Sequence, residues 1–192
     1  MSVIKEFVKD KVSLTFKERD IIIKGGWLED DHMEKFGFLV KKSSNYIPQE
    51  PWKVQLPHNI EPVPEDKEHI QILHSADDLR NQQSDGHWVL CYYDKKRIYI
   101  YDSLNKRKVH TSHKIYLNHL FPNYPFDKKP VVFPEVQRQQ NGSDCGVFAI
   151  TFAVSLLYRL KPETVRYNDA LMRQHLLKMF ETNVIKHFPR IL

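Results

Sequence analysis

Gln139-Gln140-Asn141-Gly142-Ser143-Asp144-Cys145-Gly146 runs straight into Val147-Phe148-Ala149-Ile150-Thr151-Phe152-Ala153-Val154. The first half is polar and turn-prone, with a glycine on either side of its cysteine. The second half is almost wholly apolar. Together they predict a loop feeding a buried helix whose first turn carries Cys145. A thiol in that place sees the positive end of the helix dipole and unpaired backbone N–H groups, both of which favour its thiolate. The plain alternative is a small packed core residue, the usual state of a free cysteine. Such a residue needs neither flanking glycines nor a glutamine six positions upstream, at Gln139, so the stretch reads as chemistry.

The rest of the chain sets bounds on that chemistry. Its 192 residues suit one domain over 1–192 with a sizeable core. Apolar content of 41% and charged content of 28% exclude a disordered or fibrous chain. The net charge of +5 comes in short runs, Lys41-Lys42, Lys95-Lys96-Arg97, Lys106-Arg107-Lys108 and Lys128-Lys129, that read as solvated turns. None is long or interleaved with aromatics in a recognisable module, so nucleic-acid binding is not expected, whereas an acidic partner surface suits the same charges. Cys91 and Cys145 are the only cysteines, which gives no disulfide framework and no Cys-x-x-Cys zinc pattern. The expectation is a reducing, intracellular setting, nuclear or cytoplasmic, with no metal and no cofactor. Met1-Ser2-Val3-Ile4-Lys5-Glu6-Phe7 is charged early and lacks the apolar core of a secretory signal. The longest apolar run, Gly146 to Tyr158, has 13 residues including Thr151 and Ser155 and is too short to span a bilayer. No membrane association is expected.

Working outward, Leu14-Thr15-Phe16 reads as a short strand, with Ser13 as a cap or turn, and Lys17 to Ile23 as a helical turn or two. Gly25-Gly26 breaks the chain. From Trp27 to Val40, apolar residues at 28, 32/33, 36 and 39/40 follow a helical period, with Asp30 and Asp31 in the first turn, where acids are favoured. Prolines 48, 51, 57, 62 and 64 punctuate an irregular region in which Trp52-Lys53-Val54-Gln55-Leu56 alternates like an edge strand. His69 to Leu73 reads as a strand and Asn81 to Gly86 as a polar loop. The clearest hairpin joins Trp88–Tyr93 to Ile98–Asp102 across Asp94-Lys95-Lys96-Arg97. Cys91, mid-strand, reads as a packed apolar residue. Ser112–Leu120 is predicted helical, Val131-Val132-Phe133 a buried strand, and the helix after Cys145 runs to about Leu160. Asn168 can cap a last helix with apolar positions 171, 172, 176, 177, 179 and 180. This irregular alternation of strands and helices argues α+β.

Three polar positions weigh together. His87 precedes the first hairpin strand and Asp102 ends the second, so the hairpin brings them side by side. An Asp beside a His fixes its tautomer and stabilises the imidazolium, and that His can take the proton of a nearby thiol. Alone, His87 reads as a loop histidine and Asp102 as a turn cap; joined to a glycine-framed cysteine, they read as catalytic. A thiolate attacking a carbonyl also needs donors for the oxyanion. The Cys145 N–H is one, and either Gln139 or Gln140 can supply a side-chain amide.

His87-Trp88, Tyr101-Asp102-Ser103 and Gln139 to Gly146 resemble the signature of the Ulp1/SENP cysteine proteases, which process ubiquitin-like modifiers. Trp27-Leu28-Glu29-Asp30 is similar to that family's Trp-Leu-x-Asp motif. The resemblance covers roughly residues 15–185. It implies a papain-like α+β architecture of the Ulp1 type, a central mixed sheet flanked by helices with the nucleophile at a helix N-terminus. It implies His87, Asp102 and Cys145 as catalytic residues and selects Gln139 for the oxyanion hole. It also implies that Trp27 and Trp88 clamp the Gly-Gly tail of the modifier while Asp30 meets one of its basic residues. An indole-roofed slot admits only residues without a Cβ. The segment Tyr167-Asn168-Asp169-Ala170-Leu171-Met172-Arg173-Gln174-His175-Leu176 resembles Ulp1-like domains carried in animal mobile elements.

The expected function is that of a monomeric thiol protease cutting after the C-terminal Gly-Gly of a SUMO- or NEDD8-type modifier. It would act by processing the precursor, by deconjugation, or both. One alternative is a non-catalytic binder of ubiquitin-like proteins, against which the four retained catalytic residue types argue. Another is a same-clan acetyltransferase, for which the chain shows no coenzyme A site.

Overall fold

In the computed structural model, residues 11–75 and 86–191 are described. The polar loop expected at 81–86 therefore lies, but for Gly86, outside the described residues.

The centre of the fold is the predicted hairpin. Strand β1 (His69–Ser75) pairs antiparallel with β2 (His87–Tyr93), which pairs antiparallel with β3 (Ile98–Tyr101), in the order β1-β2-β3. Strand side chains alternate between faces, and here both faces are covered. Trp88, Leu90, Ile70, Ile72 and Tyr101 join the larger core, while Val89, Cys91, Tyr93, Leu73, Ile98 and Ile100 join the smaller one. Helices α1 (Phe16–Lys24), α2 (Asp30–Ser43), α4 (Cys145–Leu157) and α5 (Asp169–Thr182) supply residues to the larger core, and α3 (Thr111–Leu120) to the smaller. The architecture is α+β, as expected. The three strands are antiparallel, and the one parallel pairing among the described residues is a single bridge, Tyr99 to Val132.

Helix α4 lies against β2 and is buried from Cys145 to Leu156. This all-round burial is why its sequence is apolar on every side. Its entry is tight. A Cβ on Gly146 would stand 2.8 Å from Met33 Cε, 3.0 Å from Leu28 Cβ and 3.2 Å from Trp88 Cδ1. Glycine thus lets α4, the Leu28 loop and β2 meet closely. The helix ends at Leu157, short of the expected Leu160, where Arg159 turns left-handed (φ 59°) and Leu160 N–H returns to Ser155 O.

Elsewhere local chemistry corrects the sequence reading. Leu14-Thr15-Phe16 is not a strand. Thr15 is the N-cap of α1: its hydroxyl accepts from Glu18 N at 3.2 Å and Glu18 Oε2 accepts from Thr15 N at 2.6 Å, a capping box, so Ser13 is not the cap. Helix α2 starts at Asp30, leaving Trp27 and Leu28 in the loop before it. Trp52–Leu56 is not an edge strand, because Pro51 opens a 3₁₀ turn over Pro51–Gln55. Val131-Val132-Phe133 makes only the bridge at Val132 and is half-buried; Pro130 and Pro134 on either side have no N–H to extend a ladder. Asn168 occupies the N-cap of α5 without a side-chain bond, and Leu171 is exposed, while Met172, Leu176, Met179 and Phe180 are buried.

Among the described residues, no helix is long and apolar enough to cross a membrane.

Candidate active site

The site forms where the open end of the β2–β3 hairpin meets the N-terminus of α4. His87 opens β2, and Asp102 follows β3 directly, one step beyond the Leu90–Tyr101 pair. The His87 Nε2 and Asp102 Oδ1 atoms are 2.6 Å apart, and both residues are buried. Asp102 is itself fixed: Oδ1 accepts from Leu104 N at 2.8 Å and Oδ2 from Lys106 N at 3.0 Å. Burial alone would raise its pKa, but the bond to His87, the imidazolium charge and these two N–H groups hold it below the ordinary carboxylate value.

The same imidazole lies under the influence of Cys145 at the head of α4, whose charge and hydrogen-bonding capacity favour its protonated form. Burial pulls the His87 pKa down, but the bonds and charges of Asp102 and Cys145 outweigh it and push it up to about 9. At neutral pH the ring is therefore held as an imidazolium beside the Asp102 carboxylate.

Two consecutive residues after β3 organise the rest. While Asp102 holds His87, Ser103 holds Gln139. The Ser103 carbonyl accepts from Gln139 N at 3.0 Å, and Ser103 Oγ donates to Gln139 Oε1 at 2.5 Å. Gln139 is buried, and its Nε2 donates to Asn141 O at 2.6 Å, leaving the amide's second N–H unassigned. Gln140 is exposed and bonds only Arg138 O. The loop then turns on Asn141, whose Oδ1 accepts from Ser143 N and Asp144 N and whose Nδ2 donates to Asp144 Oδ2, delivering Asp144 as the N-cap of α4. Ser103 was invisible to sequence reasoning except as the last residue of the Tyr101-Asp102-Ser103 motif.

The two tryptophans differ. Trp27 is half exposed, at 50%, in the loop before α2. Trp88 is 4% exposed; its Nε1 donates to Leu28 O at 2.9 Å, and the His74 ring packs on it at 4.3 Å. A Cβ on Gly86 would lie 2.3 Å from His74 Nε2, so the glycine before His87 is what admits that ring. Asp30 is exposed in the first turn of α2, its pKa raised by partial burial and by the charges of Asp31 and Glu29. Cys91 is fully buried in the smaller core, with its thiol pKa pushed up by burial.

Residues 81–186 match the model of a family described as the Ulp1 protease family, C-terminal catalytic domain. A comparison with curated proteins gives no match. Among solved structures, the C-terminal Ulp1 protease domain in complex with Smt3, the yeast ortholog of SUMO, superposes with a TM-score of 0.66 at 17% identity, covering 93% of this chain and 87% of that one. The SUMO protease Ulp1 with its catalytic cysteine oxidised to a sulfenic acid gives 0.65 at 18% identity, covering 93% and 88%. The Ulp1-like SUMO protease catalytic domain of Chaetomium thermophilum gives 0.59 at 19% identity, covering 83% and 74%. At these identities the likeness is one of fold.

Proposed function

The chain belongs to the Ulp1 protease family and is a cysteine protease domain, and we propose that its reaction is hydrolysis after the C-terminal Gly-Gly of a ubiquitin-like modifier of the SUMO or NEDD8 type. The observation that carries this reading is the buried His87–Asp102 pair, 2.6 Å apart, at the hairpin end that meets Cys145 at the head of α4. In the proposed cycle the Cys145 thiolate attacks the carbonyl carbon of the terminal glycine. The C–S bond forms, and the negative charge moves to oxygen, within reach of the Cys145 N–H and the free N–H of Gln139. The C–N bond then breaks as His87 gives its proton to the leaving amine, and a thioester remains. Water, deprotonated by His87, attacks it, releasing the modifier's carboxylate and returning the thiol. Asp102 keeps the ring oriented and its positive charge compensated throughout.

A panel of ubiquitin-like modifiers, each carrying a C-terminal electrophile in place of the scissile bond, tests this directly. One or more should form a covalent adduct that maps to Cys145 and never to Cys91. Binding without an adduct across the panel would make the chain a non-catalytic binder.

The tail clamp is part of the same proposal. Trp27, being half exposed, can be removed with little loss of core packing, whereas Trp88→Ala would empty a core position and cost about 3–5 kcal/mol of stability whatever its role in binding. Trp27→Ala is therefore the informative variant. It should lower kcat/KM on a Gly-Gly tail by about 10²-fold, because a scissile carbonyl displaced by roughly 1 Å loses that much. It should also narrow the preference for Gly-Gly over Gly-Ala tails. Wild-type enzyme that cuts Gly-Gly, Gly-Ala and Ala-Gly tails alike would sink the clamp.

A further inference from the structure

The segment around Arg173, on α5, takes no part in the chemistry above, yet its guanidinium is the most connected side chain near the site. Nε and Nη2 both donate to Asp144 Oδ1, at 2.7 and 2.6 Å. Nη2 also donates to Gly26 O at 2.8 Å and, more weakly, to Ser143 O at 3.4 Å. Nη1 reaches Ile21 O at 3.3 Å and Ile22 O at 3.4 Å, carbonyls in the last turn of α1. The Arg173 and Asp144 side chains are only 17% and 15% exposed, so these bonds work in a partly desolvated place.

What matters is which residues come next in the chain. Gly26 is followed by Trp27, and Asp144 by Cys145. One planar fork therefore joins the residue before the exposed tryptophan to the residue before the nucleophile, across 147 positions on one side and 29 on the other. On its far side Asp144 is held by Asn141 Nδ2 at 2.8 Å, so the cysteine loop has no slack to absorb a shift. A lysine offers its donors from one point and cannot span the two loops as guanidinium does.

We propose that Arg173 is a positioning residue that sets the separation of Trp27 from Cys145 and so determines how strictly the enzyme demands a Gly-Gly tail. This rests on the protease reading above.

The test combines Arg173→Lys, Trp27→Ala and the double variant, read with Gly-Gly and Gly-Ala tails and with iodoacetamide as a small electrophile that needs no clamp. Arg173→Lys should lose about 10²-fold in kcat/KM on Gly-Gly, carried mainly by kcat, and lose Gly-over-Ala preference with it. Its alkylation rate at Cys145 should stay within a few-fold of wild type. In the Trp27→Ala background Arg173→Lys should add little, since both changes break the same relation. A merely structural arginine would instead slow alkylation and cleavage together, and the two substitutions would multiply. Either that pattern or an Arg173→Lys enzyme with wild-type tail preference overturns the proposal. Should Arg173→Lys not fold, Asp144→Asn loosens the nucleophile side alone and must shift tail preference in the same direction by a smaller factor; unchanged preference overturns the proposal. Wild-type enzyme indifferent to the tail overturns instead the Gly-Gly reading on which it rests.

Discussion

Cys145→Ala is expected to abolish cleavage of a ubiquitin-like precursor while leaving modifier binding intact. Removing the nucleophile of a comparable serine enzyme costs on the order of 10⁶ in kcat, and a thiol enzyme loses its whole covalent pathway in the same way. Alanine fits the site, since Cys145 is buried at the start of a helix for which alanine is the best former. Cys91→Ala, by contrast, should leave turnover within a few-fold of wild type. That thiol lies in the smaller core with no exposed surface, and burial pushes its pKa up, away from thiolate. The check is single-turnover cleavage plus a binding titration for both variants. Equal loss from both would show that the effect is one of packing.

Asp102→Asn is expected to cost on the order of 10³–10⁴ in kcat; the same acid-to-amide change in a serine-protease triad costs about 10⁴ by holding the histidine in the wrong tautomer. It should also move the pH profile. In the wild type, Asp102 and Cys145 raise the His87 pKa to about 9 against the pull of burial. The imidazolium and the stabilisation it brings are fully present below the ordinary histidine value of about 6.5 and are lost as pH rises through about 9. Activity should fall on the alkaline side near pH 9. Without the carboxylate, burial prevails and the alkaline limb moves toward neutrality. The stability advantage of wild type over Asp102→Asn, measured by urea unfolding, should likewise be larger at pH 6 than at pH 10. An Asp102→Asn enzyme with near-full activity and an unmoved alkaline limb would place the third member of the site elsewhere.

Trp27 carries the substrate side of the protease reading and Arg173 extends it. Under the two proposals, tail preference is the measurement that separates this reading from that of a generic cysteine hydrolase.

By itself the sequence determined the elements whose signal is local. The β2–β3 hairpin was legible because two β-rich runs flank a polar turn. Helix α4 was legible because a long apolar run follows a glycine-bracketed loop. The nearness of His87 and Asp102 followed from the hairpin alone, and the place of Cys145 from the loop-to-helix boundary. Where local pattern misled, proline or capping chemistry was stronger. Trp52–Leu56 alternates like a strand, but Pro51 starts a 3₁₀ turn, and Thr15 with Glu18 caps a helix where a strand was expected. Tertiary structure alone decided the contacts that no local pattern encodes. Trp88 is buried because Leu28 O and the His74 ring close over it. Ser103 fixes Gln139 from 36 positions away. Arg173 reaches Gly26 and Asp144 only because α5 packs across the end of α1 beside the head of α4. Such contacts depend on where elements dock, and docking is set by the fit of whole faces, with each side chain's partner settled only once those faces have met.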